Sequence, residues 1–167
     1  LPRSVTVKRA GKPRHRSVRE RPVVMPPGAP SPLLLDTHVW LWWLEGHRGL
    51  SRDAQAALLE AQRDHRLHVS EFSLWELALK AGRGSLRLRL PLRDWMRRAR
   101  EAPGIRYRPI AADDLLSAHE LPETPFRDPI DRALVALARS SGMTLVTADR
   151  GIRSWARRSG FSLLDAG

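Results

Sequence analysis

The sequence predicts an α/β fold whose sheet is mainly parallel, has roughly five strands and is covered by helices on both faces. From residue 32 onward, segments patterned like strands alternate with segments patterned like helices, which is typical of a parallel sheet. Residues 33–35 and 144–148 are near-continuous apolar runs, as expected for strands buried on both faces. A chain of 167 residues with 42% hydrophobic residues suits one domain with a substantial core.

The expected strands are short apolar segments, and the expected helices fill the intervals between them. In chain order the strands span residues 33–36, 67–69, 105–107, 144–147 and 161–164. The helices span residues 37–44, 54–63, a stretch through 75–77, 91–102, 112–119, 129–140 and 150–158.

Residues that commonly begin or end helices justify these boundaries. Ser51 is a good N-cap for the second helix, and Ser70 or Ser73 can cap the third. Pro91 opens the fourth helix, because proline is favoured in the first turn, and Gly142 stops the sixth.

The first 31 residues differ from the rest in charge and composition. They contain eight lysines and arginines against a single glutamate, and six prolines. We expect them to form a disordered basic extension, with the folded domain at 32–167. The extension is interpreted as an incidental solvated segment or as a nucleic-acid-binding arm; a natural start at Met25 is a third alternative.

Composition also narrows the class of protein. The chain has no cysteine, so disulfides and thiolate metal sites are excluded. No apolar run approaches the roughly 20 residues that a membrane-spanning helix needs, and no secretory signal follows the basic N-terminus. We therefore expect no membrane contact and a cytoplasmic location.

Four acidic residues are placed where the predicted fold would bring them together. Asp36 and Asp149 each follow an apolar strand, and Glu76 and Asp131 lie on helices between them in the chain. In open α/β sheets, ligands bind beyond the carboxyl ends of the strands. The sequence therefore predicts one acidic pocket at that edge.

Each aspartate also has a structural interpretation. Asp36, Asp128 and Asp149 all precede helices and can act as N-caps, and Asp128-Pro129 is a strong helix start. Glu76 is different, because it lies inside a helix beside apolar residues and needs a partner. Capping explains each aspartate separately but not the convergence of all of them with Glu76.

A divalent cation would explain that convergence. Crowded carboxylates repel one another, and Mg²⁺ or Mn²⁺ relieves this repulsion and prefers oxygen ligands. A metal held in this way can activate water and offset charge on a phosphodiester. Thr37 and Thr147 adjoin the acids and can orient them or a water. His38 is interpreted as a metal ligand or, alternatively, as a surface residue or one that orients a ligand.

A basic stretch follows the helix that carries Glu76. It includes Arg83, Arg87 and Arg89, which are interpreted either as RNA contacts or as a solvated surface.

Four segments of the chain, taken in order, resemble PIN-domain ribonucleases, and specifically the VapC-type toxins of toxin–antitoxin pairs. They are Leu-Leu-Leu-Asp-Thr-His-Val-Trp-Leu-Trp-Trp-Leu (33–44), Ser-Leu-Trp-Glu-Leu-Ala-Leu-Lys (73–80), Arg-Asp-Pro-Ile-Asp-Arg-Ala-Leu-Val-Ala-Leu-Ala (127–138) and Leu-Val-Thr-Ala-Asp (145–149). The resemblance implies an α/β/α sandwich, RNA cleavage dependent on Mg²⁺ or Mn²⁺, a cognate antitoxin and a homodimer.

By motif, the resemblance also implies which residues act. The acidic quartet of the family falls on Asp36, Glu76, Asp131 and Asp149, as metal ligands and catalytic residues. Asp128 is the additional acid of a subgroup whose motif reads His-Arg-Asp-Pro-Phe-Asp-Arg. Phe126 stands here in place of that histidine, which puts in doubt any role the histidine has.

Two other functions remain open from the sequence. One is a non-catalytic RNA-binding protein with a silent acidic site. The other is a phosphatase or phosphotransferase that uses Asp36. Such an enzyme would need a second aspartate two residues later, where this chain has His38.

Overall fold

A computed structural model describes residues 30–121 and 124–167. The predicted basic extension lies outside these residues except for its last two positions. Its predicted disorder and the domain boundary at residue 32 therefore stay predictions.

Within the described residues, five parallel strands form one sheet in the order β3-β2-β1-β4-β5. The strands are β1 (Leu33–Leu35), β2 (Leu67–Ser70), β3 (Ile105–Arg108), β4 (Thr144–Thr147) and β5 (Leu163–Asp165). Strand β1 is central, and its Leu34 pairs with His68 of β2 on one side and with Leu145 of β4 on the other. The predicted parallel sheet is confirmed.

Seven helices in the described residues connect and cover the strands. They are α1 (Thr37–Glu45), α2 (Arg52–Arg63), α3 (Glu71–Gly82), α4 (Leu92–Glu101), α5 (Ala112–Glu120), α6 (Pro129–Ser140) and α7 (Arg150–Ser159). None of the described helices is long and apolar enough to cross a membrane.

The sheet separates two apolar cores, and β1 contributes to both. Leu33 and Leu35 pack into the core formed with α1, α2, α3 and α4, whereas Leu34 packs into the core formed with α6 and α7. Successive side chains of a strand point to opposite faces, so a central strand covered on both faces must be apolar at every position. The three consecutive leucines are thereby explained, and the α/β/α sandwich is confirmed.

Local capping fixes the ends of the helices close to the predicted positions. The Ser51 hydroxyl accepts a hydrogen bond from the Ala54 N–H, and that of Ser70 accepts one from the Phe72 N–H. Ser70, and not Ser73, is therefore the cap of α3. The last strand begins later than predicted, at Leu163, because Gly160 ends α7 in a left-handed conformation and the Phe161 N–H still donates to the Ala156 carbonyl of that helix.

Candidate active site

Asp36 lies at the carboxyl end of β1, where its carboxylate is buried and one of its oxygens has two side-chain partners. Its N–H donates to the Val146 carbonyl at 3.0 Å, which extends the pairing with β4. The Thr147 hydroxyl donates to Oδ2 at 2.5 Å, and Nδ1 of His38 lies 3.3 Å from the same oxygen. Asp36 occupies the N-cap position of α1 but makes no side-chain capping hydrogen bond. Asp36 is therefore the N-cap residue by position, but its side chain does not cap the helix through N2 or N3 as the capping interpretation expected.

These contacts keep the Asp36 carboxylate ionised. Burial favours the neutral acid, but the hydrogen bond and charge of His38, followed by the Thr147 hydroxyl, outweigh burial and lower the pKa of Asp36 below 3.8. A negative charge is thus held in a position that is only 4% exposed.

Thr147 connects two of the predicted site residues. Its hydroxyl donates to Asp36 and accepts the Asp149 N–H at 3.0 Å. The Asp149 side chain accepts the Ile152 N–H at 2.8 Å and so caps α7. A Cβ at Gly151 would lie 3.1 Å from Oδ1 of Asp149, so the glycine leaves room for this carboxylate. Thr147 therefore orients Asp36 and the backbone of Asp149, as its position beside these acids suggested.

His38 bridges the ends of the same two strands. Its Nε2 accepts the Ala148 N–H at 3.1 Å, so the neutral ring carries its proton on Nδ1, which faces Asp36. Burial opposes the imidazolium, but Asp36 outweighs it and raises the pKa of His38 above 6.5. Because both ring nitrogens are engaged, His38 acts here as an orienting residue and not as a free ligand.

Glu76 lies in α3 with its carboxylate largely covered, and Lys80 is its partner. The side chain of Glu76 is 13% exposed, and its Oε1 lies 2.5 Å from Nζ of Lys80 one turn later. The sequence predicted that Glu76 needs a partner but did not single out Lys80. The four-residue spacing on one helix was the signal available for finding it.

Asp131, in the first turn of α6, lies near enough to the other predicted acids for their charges to shift its pKa. Burial raises the pKa of Asp131, and the charges of four other acids raise it further, to about 7. Those acids are Asp36, Asp128, Asp149 and Glu76. We call these five residues, Asp36, Glu76, Asp128, Asp131 and Asp149, the acidic edge.

Asp128 caps a helix, and the three predicted arginines lie on the surface. The Asp128 carboxylate accepts the Ile130 N–H at 2.8 Å and caps α6, as predicted. Arg83, Arg87 and Arg89 are exposed, and Arg89 forms an ion pair with Glu45 at 3.2 Å. Their contact with RNA stays a prediction.

The acidic edge contains the oxygen donors that a divalent cation prefers, but these donors are not arranged around a single ion. Within residues 30–121 and 124–167, no three histidine, aspartate or glutamate side chains are placed so that they could hold one metal ion. The donors are nevertheless all hard oxygens, and their repulsion is what a cation relieves. Beside Asp36, the buried Thr37 hydroxyl has no hydrogen-bond partner among the described residues, so a polar atom is left for a ligand or water. The chemistry of these donors therefore suits Mg²⁺ or Mn²⁺, and their side chains would have to move to hold one ion together.

Comparison with known proteins agrees with this architecture. Residues 33–158 match the family described as PIN domain. Ribonuclease VapC22 of Mycobacterium tuberculosis (strain ATCC 25618 / H37Rv) is 34% identical over 122 residues, which cover 73% of this chain and 90% of that protein.

Two solved structures share the fold. The crystal structure of VapBC2 from Rickettsia felis bound to a DNA fragment from their promoter matches with a TM-score of 0.60 and 14% identity, covering 81% of this chain and 98% of that one. A toxin–antitoxin complex from Klebsiella pneumoniae matches with a TM-score of 0.50 and 18% identity, covering 72% and 89%. The family match and the identity to a curated relative, rather than these distant structures, establish that the chain belongs to the PIN domain family.

Proposed function

We propose that this protein is a divalent-metal-dependent endoribonuclease and the toxin of a toxin–antitoxin pair. The observation that carries the proposal is the cluster at the carboxyl edge of the sheet, where the Thr147 hydroxyl links the buried Asp36 carboxylate to the backbone of Asp149. Four neighbouring acids help to raise the pKa of Asp131 to about 7, which agrees with such a cluster. A crowd of acids at the carboxyl edge of a parallel sheet is stabilised by a cation and is a frequent position for a ligand. The likeness to Ribonuclease VapC22 supports RNA as the substrate.

In this proposal Asp36, Asp131 and Asp149 hold Mg²⁺ or Mn²⁺, and Glu76 completes the site as a ligand or by positioning the attacking water. When bound, the cation would polarise water and offset negative charge on the scissile phosphodiester. The reaction is hydrolysis of a phosphodiester bond within the RNA chain.

Residues around the acids supply the preorganisation that such a site needs. Thr147 and His38 fix one oxygen of Asp36, and Thr147 also fixes the backbone of Asp149. Carboxylates held in this way need little reorganisation when a cation or a phosphate arrives. Thr37 offers a further hydroxyl beside Asp36.

Partners follow from the same family likeness. Arg83, Arg87 and Arg89 are proposed to contact the RNA backbone, which their exposure allows. A cognate antitoxin is supported by the solved structures that share the fold, since one is a VapBC2 assembly and the other a toxin–antitoxin complex. A homodimer and a cytoplasmic location complete the proposal.

The two alternatives receive less support. A phosphatase would need an acidic group two residues after Asp36, and His38 there has both ring nitrogens engaged by Asp36 and Ala148. A silent RNA-binding site would have no need for the costly crowding around Asp131.

The proposal is tested by incubating purified protein with RNA in Mg²⁺, Mn²⁺ or excess EDTA. Cleavage should require the cation and should be abolished by Asp36→Asn. Expression with and without the adjacent gene, followed by sequencing of RNA ends, tests the toxin role. Cleavage that persists in excess chelator would refute metal dependence.

A further inference from the structure

Lys80 is exceptional in the composition of the folded part of the chain. It is the only lysine in residues 32–167, which contain twenty arginines. The lysine ammonium is a compact charge on a flexible stem, whereas the arginine fork binds a carboxylate through two parallel hydrogen bonds. Of the two basic residue types, lysine is the one whose contact with a carboxylate is more easily broken, and it is a lysine that lies one turn after Glu76.

The contacts of Lys80 place its charge within the acidic edge. Its Nζ lies 2.5 Å from Oε1 of Glu76, and the charges of Asp36 and Asp128 also favour its protonated form. Glu76 and Lys80 both lie on α3, so the ammonium contacts the acidic edge through this one carboxylate.

The Lys80 side chain is nevertheless free to leave. It is 51% exposed, while the carboxylate that it holds is 13% exposed. An exposed lysine–glutamate pair at this spacing ordinarily contributes little to a helix. Here the partner is a covered carboxylate in a crowd of like charges, where a positive charge has more to stabilise.

We propose that Lys80 is a displaceable counter-ion of the acidic edge, whose ammonium holds Glu76 in the metal-free protein and gives up this contact when a divalent cation binds. The inference rests on the proposed metal-dependent function. It makes Lys80 a positioning residue that competes with the metal, and it explains why a lysine is more suitable here than an arginine.

The test measures binding of Mn²⁺ alone, without RNA, by isothermal titration calorimetry, and thermal unfolding in EDTA. Lys80→Gln should bind Mn²⁺ about fivefold more tightly, since it removes one positive charge near a divalent ion. Its metal-free midpoint of unfolding should fall by roughly 2–4 °C, because the acids lose their counter-ion. Lys80→Arg should keep the midpoint and bind Mn²⁺ no more tightly than the wild type.

Arg97→Gln is the matched control. Arg97 also pairs with an acid on its own helix, at 3.1 Å from Asp94, but both side chains are exposed and belong to α4. This variant removes the same charge outside the acidic edge, so Mn²⁺ affinity and the midpoint should stay at wild-type values. Asp36→Asn shows whether Mn²⁺ binds at the acidic edge.

The outcomes separate the inference from the proposed function. If the wild type binds no Mn²⁺, or if Asp36→Asn binds it equally well, the proposed function and the inference are both overturned. If binding depends on Asp36 but Lys80→Gln behaves like Arg97→Gln, or binds Mn²⁺ more weakly than the wild type, the counter-ion role alone is overturned.

Discussion

Asp36 and Asp131 belong to the same acidic edge, yet their surroundings move their pKa values in opposite directions. Burial favours the neutral form of both. Asp36 has His38 and Thr147 as partners, and its pKa falls below 3.8, whereas Asp131 faces other acids and its pKa rises to about 7. A position at the edge of the sheet therefore does not determine whether a carboxylate is charged. Its charge depends on the hydrogen-bond donors and charged groups around it.

The difference between these two pKa values suggests different roles for Asp36 and Asp131 in the proposed site. Asp36 is ionised and fixed near neutral pH, so it is the ready anchor for a cation. Asp131 is close to its midpoint at the same pH, so its full charge depends on relief from its neighbours. Neighbouring acids whose pKa values are pushed apart are a recurring sign of divided roles.

Replacing the anchor should have the largest effect. Asp36→Asn should lower RNA cleavage in Mg²⁺ or Mn²⁺ by on the order of a thousandfold, because the fixed charge at the site is lost. Stability in EDTA at pH 7 should also fall, since His38 and Thr147 lose an ionised partner. A gel-based cleavage assay and thermal unfolding measure these effects. Wild-type cleavage by the variant would refute the anchor role.

Removing one support of the anchor should have the next largest effect. Thr147→Val keeps the shape of the side chain but deprives Asp36 of a donor and the Asp149 N–H of an acceptor. Cleavage should fall about 10- to 100-fold, and unfolding in urea should show a loss of about 1–3 kcal/mol. Thr144→Val, at the half-buried start of the same strand β4, is the control, because its hydroxyl bonds to Ser162 and not to an acid of the site.

Replacing Asp131 should raise stability, whereas replacing Asp36 should lower it. Asp131 binds its proton more tightly folded than unfolded, so between pH 3.8 and about 7 it makes the folded protein less stable as pH rises. Asp131→Asn should therefore be more stable than the wild type at pH 8 in EDTA, by about 1–3 kcal/mol, and the difference should shrink towards pH 4. Urea unfolding across this range measures it.

His68 must be allowed for in that experiment. Its pKa is lowered to about 4, first by burial and then by Arg108 and Arg106, so it adds stability as pH rises from 4 to 6.5. This dependence is common to the wild type and Asp131→Asn, and the difference between them cancels it. A variant that is equally or less stable than the wild type at pH 8 would contradict the crowding of Asp131.

The smallest effect is expected at Asp128. Asparagine can accept the Ile130 N–H as the aspartate does, so Asp128→Asn should change the free energy of unfolding by no more than about 0.5 kcal/mol. Cleavage should fall much less than in Asp36→Asn. A loss as large as that of Asp36→Asn would place Asp128 among the principal acids of the site.

Local signals in the sequence were enough for most of the fold. The run Leu33–Leu35 predicted a strand buried on both faces, and the caps Ser51, Asp128 and Asp149 predicted helix starts that the structure contains. Such signals act over a few residues, through strand periodicity or a side chain bonded to a nearby N–H, so they can be read from the sequence directly.

Only the tertiary structure decided what Asp36 does. The sequence places it before a helix, where capping was the alternative to a role in the acidic site, and the carboxylate accepts a hydrogen bond from Thr147, which is 111 residues away in the chain. Likewise, His38 reaches Ala148 across 110 residues. These contacts exist because β1 and β4 lie side by side in the sheet, and no local pattern reports which strands become neighbours. The sequence by itself determined which acids are present and their order along the chain. The packing of strands and helices determined which partners each carboxylate has, and therefore that the pKa of Asp36 is lowered and that of Asp131 is raised.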